Sequence, residues 1–300
     1  MTSYKIFNIS IFALAMSLAS CSGSDFGDEP EIDGGKLEMQ FSFTHPDSRQ
    51  NGRATETAFE NGDRVGLFVN EASLPLEVGG NTVNNALLTC EGSNWKPAGK
   101  LYWDAGTYNA TAYYPYLSEI SSITDFPFSV RTDQDTPASA DMLSGYEASD
   151  FLYASAKNLT ASENPVNLTF RHVMSKLTVR MIKGDNYEGE LPEEATVYIH
   201  NTVPSATIDL QAGIATRQTK GARETITACK TGASDYSAII VPQRIENRMP
   251  LVEIVMEGVS FLFESKFQFK PGVHHIMNLV IEEDPGKIKI EIGGEITDWN

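Results

Sequence analysis

An all-β fold built from antiparallel β-sandwiches is predicted by three observations. Beyond residue 35 nearly every apolar cluster alternates with polar residues at period two, no long segment carries a 3.6-residue period, and turn-forming residues separate the clusters. Period two sends successive side chains to opposite faces, and a strand that is polar on one face suits an antiparallel sheet with one side in water. Many short strands at this spacing point to sandwiches.

The first strand is Leu37-Glu38-Met39-Gln40-Phe41-Ser42-Phe43, with Leu37, Met39, Phe41 and Phe43 on one face. Further strands follow at 65–69, 108–114, 168–170, 177–182, 195–200, 206–210, 236–241, 251–256, 259–263, 275–281 and 287–292. Asn61-Gly62-Asp63, Glu257-Gly258, Lys270-Pro271-Gly272 and Asp284-Pro285-Gly286 supply the chain reversals. Residues 117–150, rich in Ser, Thr, Asp and Pro with Phe126, Phe128, Met142 and Leu143 interspersed, read as an irregular excursion or partly helical insert. A change of texture at Ser162-Glu163-Asn164-Pro165 divides the chain into an N-terminal sandwich domain, 36–165, and a C-terminal one, 166–300.

Ahead of these domains, residues 1–20 carry Lys5, then a short apolar run, then Leu18-Ala19-Ser20 before Cys21. The run is shorter than the roughly 20 residues a spanning helix needs, so it reads as a signal peptide. Leu18-Ala19-Ser20-Cys21 resembles the bacterial lipobox, which identifies Cys21 as the lipidated first residue of the mature chain. Acyl chains bury methylenes at about 0.8 kcal/mol each, enough for two or more to hold a protein on a membrane without a span. Residues 21–35, with Asp25, Asp28, Glu29, Glu31 and Asp33 among Ser, Gly and Pro, have too little apolar surface to fold and form a flexible acidic tether. Such a tether is similar to the signal that sends lipoproteins of Bacteroidales to the outer face of the outer membrane. It also reads as a solvated linker with no address.

The chain holds 23 basic and 40 acidic residues, a formal charge of −17 with pI near 4.7. A phosphate backbone would be repelled, so nucleic acid is not an expected partner. After Cys21 only Cys90 and Cys229 remain, far apart, and they read as small buried apolar residues rather than a disulfide.

No HExxH, CxxC pair, phosphate-cradling glycine loop or GxSxG elbow occurs in the mature chain, so no enzymatic activity, metal or cofactor is expected. His274 and His275 would point to opposite faces of a strand, a poor joint metal site. Asp133-Gln134-Asp135 offers oxygens for calcium, but without the glycine and distal glutamate of an EF-hand loop. Trp95, Trp103, Tyr102, Tyr108, Tyr113, Tyr114 and Tyr116 form an aromatic-rich region that suits either a sandwich core or a sugar platform.

Several passages together resemble the fimbrillin family, the pilins and accessory subunits of the type V pili of Bacteroidales. They are Arg53-Ala54-Thr55, Phe59-Glu60-Asn61-Gly62-Asp63-Arg64-Val65-Gly66-Leu67-Phe68, Leu101-Tyr102-Trp103 and Ala112-Tyr113-Tyr114-Pro115. They continue with Asp150-Phe151-Leu152-Tyr153-Ala154, Leu168-Thr169-Phe170-Arg171-His172-Val173-Met174-Ser175-Lys176-Leu177, Val241-Pro242-Gln243, Phe269-Lys270-Pro271-Gly272 and Ile296-Thr297-Asp298-Trp299. The resemblance implies two transthyretin-like sandwich domains and an adhesive fimbrial subunit at the cell surface. Its implied partners are other pilin subunits, the outer membrane through the lipid, and a host or bacterial surface ligand.

In polymerising members of that family a protease cuts after an arginine, the first strand leaves, and a strand of the next subunit fills the groove, a form of β-augmentation. Carried onto this chain, the removed strand is Leu37 to Phe43 and the cut falls at Arg53 or Arg49, both in the polar run 47–57. The donor strand is the one bearing Ile288, Ile290 and Ile292, although the absence of an obvious tail beyond it also suits a capping subunit. Two other readings stay open: a surface glycan-binding lipoprotein, marked by an exposed row of aromatics, and a sandwich hydrolase, marked by paired carboxylates in one cleft.

Overall fold

The run Val65-Gly66-Leu67-Phe68-Val69 has no polar position, so a strand built from it must be covered on both faces. In the computed structural model, which describes residues 36–299 apart from 50–57, 141, 186, 188–189, 192, 282–288 and 292–295, that run lies in the strand Arg64–Glu71 inside a six-stranded sheet. The order across the sheet is Arg171–His172, Leu152–Thr160, Thr107–Tyr114, Arg64–Glu71, Val83–Glu91, Asn94–Pro97, antiparallel throughout. Val65, Leu67 and Val69 face a first core with Trp103, Tyr108, Leu168 and Phe170. Phe68, on the other face, belongs to a second core with Tyr113, Phe151, Leu177 and Ile254.

Two short strand pairs cover the first core. Leu37–Glu38 runs antiparallel to Tyr102–Trp103, and Phe41–Thr44 runs parallel to Val166–Thr169. The second core lies among three sheets. One is ordered Cys229–Lys230, Asp235–Ile240, Ser175–Lys183, Val273–Ile281, Lys289–Glu291, with Ile296–Asp298 also paired to Val273–Ile281. The next is ordered Glu224–Thr227, Ala195–Thr202, Gln243–Met256, Val259–Phe269, and the last is Ile214–Arg217, Ser205–Asp209, Phe126–Ser129. Among the described residues there is no α-helix, only the 3₁₀ turns Pro46–Arg49 and Glu147–Ser149.

The all-β expectation holds, with differences in detail. The expected first strand is divided at Met39-Gln40 because its two halves pair with different partners. Among the described residues two strand pairings are parallel rather than antiparallel, the second being Ser175–Lys183 with Val273–Ile281. Strands that pair with the first sheet system continue through Val166–Thr169 and Arg171–His172, beyond residue 165. The excursion 117–150 has a defined course: Phe126–Ser129 joins Ser205–Asp209, and Ile120, Ile123, Val130 and Tyr146 are buried in the second core. Glu257 and Gly258 both take positive φ, 50° and 78°, as the tight hairpin between two paired strands requires.

Gly66 is fixed by close approach. A Cβ there would collide with the Tyr113 ring, which cannot swing away because its hydroxyl donates to Leu117 O at 3.0 Å and lies 2.6 Å from Asn85 Oδ1. Gly66→Ala is therefore expected to lower stability by about 1–3 kcal/mol through overpacking. Denaturant unfolding checks this, and an unchanged midpoint would contradict it.

Candidate functional site

The leading strand has an apolar face and a polar one, and the fold uses the difference. Met39, Phe41 and Phe43 are buried, whereas Gln40 is exposed. The Phe43 ring meets Trp95 edge-on at 4.9 Å and Phe170 at 5.6 Å, and Phe41 lies 6.3 Å from Trp103. Burial of the three side chains contributes about 1.5–3 kcal/mol each, so withdrawing the strand with nothing in its place costs roughly 5–9 kcal/mol. That is comparable with the whole stability of an ordinary domain, about 5–15 kcal/mol.

The backbone attachment is lighter. Met39 N donates to Leu101 O at 2.8 Å, Val166 N to Gln40 O at 2.8 Å and Phe170 N to Thr44 O at 2.9 Å. Among the described residues Phe41–Thr44 has one strand neighbour, Val166–Thr169. The leading strand is thus seated by side chains and held by two short ladders, residues 37–39 against 101–103 and residues 40–44 against 166–170.

Past Thr44 the chain turns through Pro46–Arg49, and Asp47 enters a buried cluster. Asp47 Oδ2 lies 3.2 Å from His172 Nε2, while Asp150 brings Oδ1 within 3.0 Å and Oδ2 within 2.9 Å of Nδ1 on the same ring. Trp299 stacks on that imidazole with centroids 3.6 Å apart and an 11° interplanar angle, and the Lys176 ammonium sits 5.4 Å above the indole. Burial favours the neutral imidazole, but the charge of Asp150 and the hydrogen bonds from Asp150 and Asp47 outweigh it and hold the His172 pKa above 6.5. Burial also raises the Asp47 carboxyl, and His172 more than reverses this, so it titrates below 3.8.

On the far side of residues 50–57, Phe59 closes the end of the slot. Its ring lies 5.0 Å from His45, 5.1 Å from Trp95 and 5.4 Å from Phe170. His45, Asp47, Phe59, Asp63, Tyr146 and Trp299 border a cavity of about 460 Å³. Asp63 accepts from Glu60 N at 2.7 Å and lies 3.2 Å from the Tyr114 hydroxyl.

Of the residues singled out from the sequence, Arg49 closes the 3₁₀ turn, and Ile290 stands opposite Leu279 inside the second sheet system. Cys21, Arg53, Ile288 and Ile292 lie outside the described residues. His274 and His275 do point apart: His274 Nε2 is 2.8 Å from Thr178 Oγ1, and His275 is buried against Phe267 and Phe269. Gln134 turns inward, accepting from Ile239 N at 2.8 Å and donating to Ile239 O at 2.7 Å, while Asp135 accepts from Lys230 N at 3.2 Å. The segment thus ties the excursion to the second core. Among the described residues no group of three or more His, Cys, Asp or Glu is arranged to hold a metal.

Trp103, Tyr108, Tyr113 and Tyr114 are buried, and Trp95 packs on the first core, so these aromatics serve packing rather than an exposed row. Cys90 is buried and Cys229 half-buried, and neither is part of a disulfide. The cluster at His172 was not singled out as a site, although Asp150, His172 and Trp299 all fall inside the passages that carry the family resemblance.

A model of the fimbrillin-like family matches residues 52–299. A protein described as a candidate fimbrium tip subunit, Fim1C of Bacteroides ovatus, is 25% identical over 225 residues, 69% of this chain and 41% of that protein. The chain thus spans less than half the length of that curated relative. Among solved structures, a candidate cell-adhesion protein from Bacteroides uniformis superposes with a TM-score of 0.68 at 19% identity, covering 89% of this chain and 99% of the other. A second from Bacteroides ovatus gives 0.67 at 20%, covering 88% and 98%. At these identities the superpositions establish a shared fold.

The seating of the leading strand predicts an asymmetry within a few residues of sequence. Phe43→Ala should lower stability by about 3–5 kcal/mol, whereas Gln40→Ala should change it by no more than about 0.5 kcal/mol. Equal effects in equilibrium unfolding would show that the strand is not seated by its apolar face.

Proposed function

The chain belongs to the fimbrillin-like family, and from that premise we propose that it is a structural and adhesive subunit of cell-surface fimbriae, exported as a lipoprotein through Cys21. Assembly runs through proteolysis at Arg53 or Arg49, departure of the leading strand, and occupation of its slot by a strand from another subunit. The observation that carries this reading is the leading strand itself. Its side chains fill a slot lined by Trp95, Trp103 and Phe170, while its backbone is held by two short ladders, to 101–103 and to 166–170, and its connection to Phe59 passes through the candidate cut sites. An uncut chain keeps the strand because leaving costs several kcal/mol. After the cut the strand is no longer tethered to the body, and an equivalent strand can replace it with little net loss.

A position at the end of the fibre is favoured over a stalk position. Lys289–Glu291 and Ile296–Asp298 both pair with Val273–Ile281, so the candidate donor strand around Ile290 is engaged within its own sheet. The curated relative named as a candidate tip subunit agrees with this placement. The partners are then other pilin subunits on one side and a surface ligand on the other, with the outer membrane as the lipid anchor during export.

Treatment of the purified protein with an arginine-specific protease, followed by intact-mass and N-terminal analysis, tests the assembly route. The expected product begins just after Arg49 or Arg53, with loss of the leading strand when a donor subunit is supplied and formation of SDS-resistant oligomers. Cutting elsewhere, or cutting at either arginine without oligomers in the presence of a donor, would contradict strand exchange.

A further inference from the structure

Both nitrogens of the His172 ring face carboxylates, at 2.9–3.0 Å on the Asp150 side and 3.2 Å on the Asp47 side. A neutral imidazole has one N–H, so with both carboxylates ionised it must turn a lone pair toward one of them. The doubly protonated ring satisfies both at once. Three separate parts of the chain meet there: the turn after the leading strand brings Asp47, the Glu147–Ser149 turn brings Asp150, and Trp299 covers the ring from the C-terminal end.

We propose that His172 is a proton-dependent clasp: as imidazolium it holds Asp47 and Asp150 together against Trp299, and loss of its Nε2 proton to solvent weakens its hold on Asp47 and loosens the segment Pro46–Arg49. Asp47 is the carboxylate that lets go. Asp150 keeps both oxygens close to Nδ1, so the remaining proton stays on that side and the lone pair on Nε2 meets the Asp47 charge.

The other charged and titratable groups around the ring leave His172 as the one that switches. His45, 6.0 Å away, is shifted down by burial and stays neutral near pH 7. His274 is pushed down to about 4, by burial first and then by Lys176. Lys176 adds a positive charge acting on Asp47. With His172 raised above 6.5, its contribution is fully present below about pH 6.5 and is lost as pH rises through its folded value; with Asp47 lowered below 3.8, the acid-side loss lies beneath pH 3.8. The clasp is therefore closed in mildly acidic conditions and opens on the alkaline side. It is a property of the fold and holds whether or not the neighbouring arginines are cut during assembly.

Hydrogen exchange on the full chain tests it. Peptides covering residues 39–49, corrected for intrinsic rates, should lose protection as pH rises from 5.5 to 8.5, by more than about twofold. Asp47→Asn should flatten that dependence to less than about twofold. Protection that does not change with pH in the wild type, or that changes as much in Asp47→Asn, would overturn the clasp. Because the variant could disturb folding, the wild-type His172 ring is also titrated by NMR. A midpoint above 6.5 is expected, and a midpoint below it would overturn the proposal on its own.

Discussion

Three buried side chains and two short backbone ladders govern the behaviour of this molecule. Met39, Phe41 and Phe43 are buried, yet the stretches that carry them are short and pair with different partners, Leu37–Glu38 with Tyr102–Trp103 and Phe41–Thr44 with Val166–Thr169. In an interior strand, ladder hydrogen bonds on both edges and side-chain burial act together to fix the element. Here burial provides most of the retention, and burial is not specific to a particular chain: any strand with apolar residues at alternate positions and a suitable register can satisfy the same slot. On the proposed route, the requirement for a filled core is separate from the requirement that the chain's own first strand fill it.

A second constraint links that strand to the rest of the protein. The Arg64–Glu71 strand feeds the first core with Val65, Leu67 and Val69 and the second with Phe68, so the two cores share a wall. His172 adds a polar connection at the end of that wall, where the segment after the leading strand, the turn at Asp150 and Trp299 converge. The arrangement is costly to bury unless every partner is present, since two carboxylates and an imidazole have left water to form it. Such a cluster favours one arrangement of three chain segments more sharply than apolar packing does, and on the proposed clasp it loosens when His172 loses a single proton.

Much of the architecture is legible in the sequence because period two carries it directly. Leu37 to Phe43, 177–182, 195–200 and 275–281 alternate cleanly and lie in strands with the expected faces. What alternation cannot carry is pairing. Whether a strand runs parallel or antiparallel to its neighbour depends on contacts distant in sequence, which is why the partnership of Ser175–Lys183 with Val273–Ile281 is invisible in either segment alone. The strands Val83–Glu91 and Leu152–Thr160 escape notice for a related reason: Asn84-Asn85 and Lys157-Asn158 interrupt their patterns, and Asn85 and Asn158 take positive φ of 44° and 58°. The cluster at His172 is assembled from positions 47, 150, 172 and 299, so no local motif announces it.

Strand exchange requires that the slot be refillable. The most direct measurement is binding of a labelled peptide, Lys36 to Arg49, to the protease-cut chain after its own leading segment has been displaced, with the intact chain as comparison. Saturable binding to the cut chain that is lost when the peptide's Phe41 and Phe43 are replaced by alanine, with none to the intact chain, is the predicted result. Equal binding to both chains, or binding indifferent to those two phenylalanines, would contradict it.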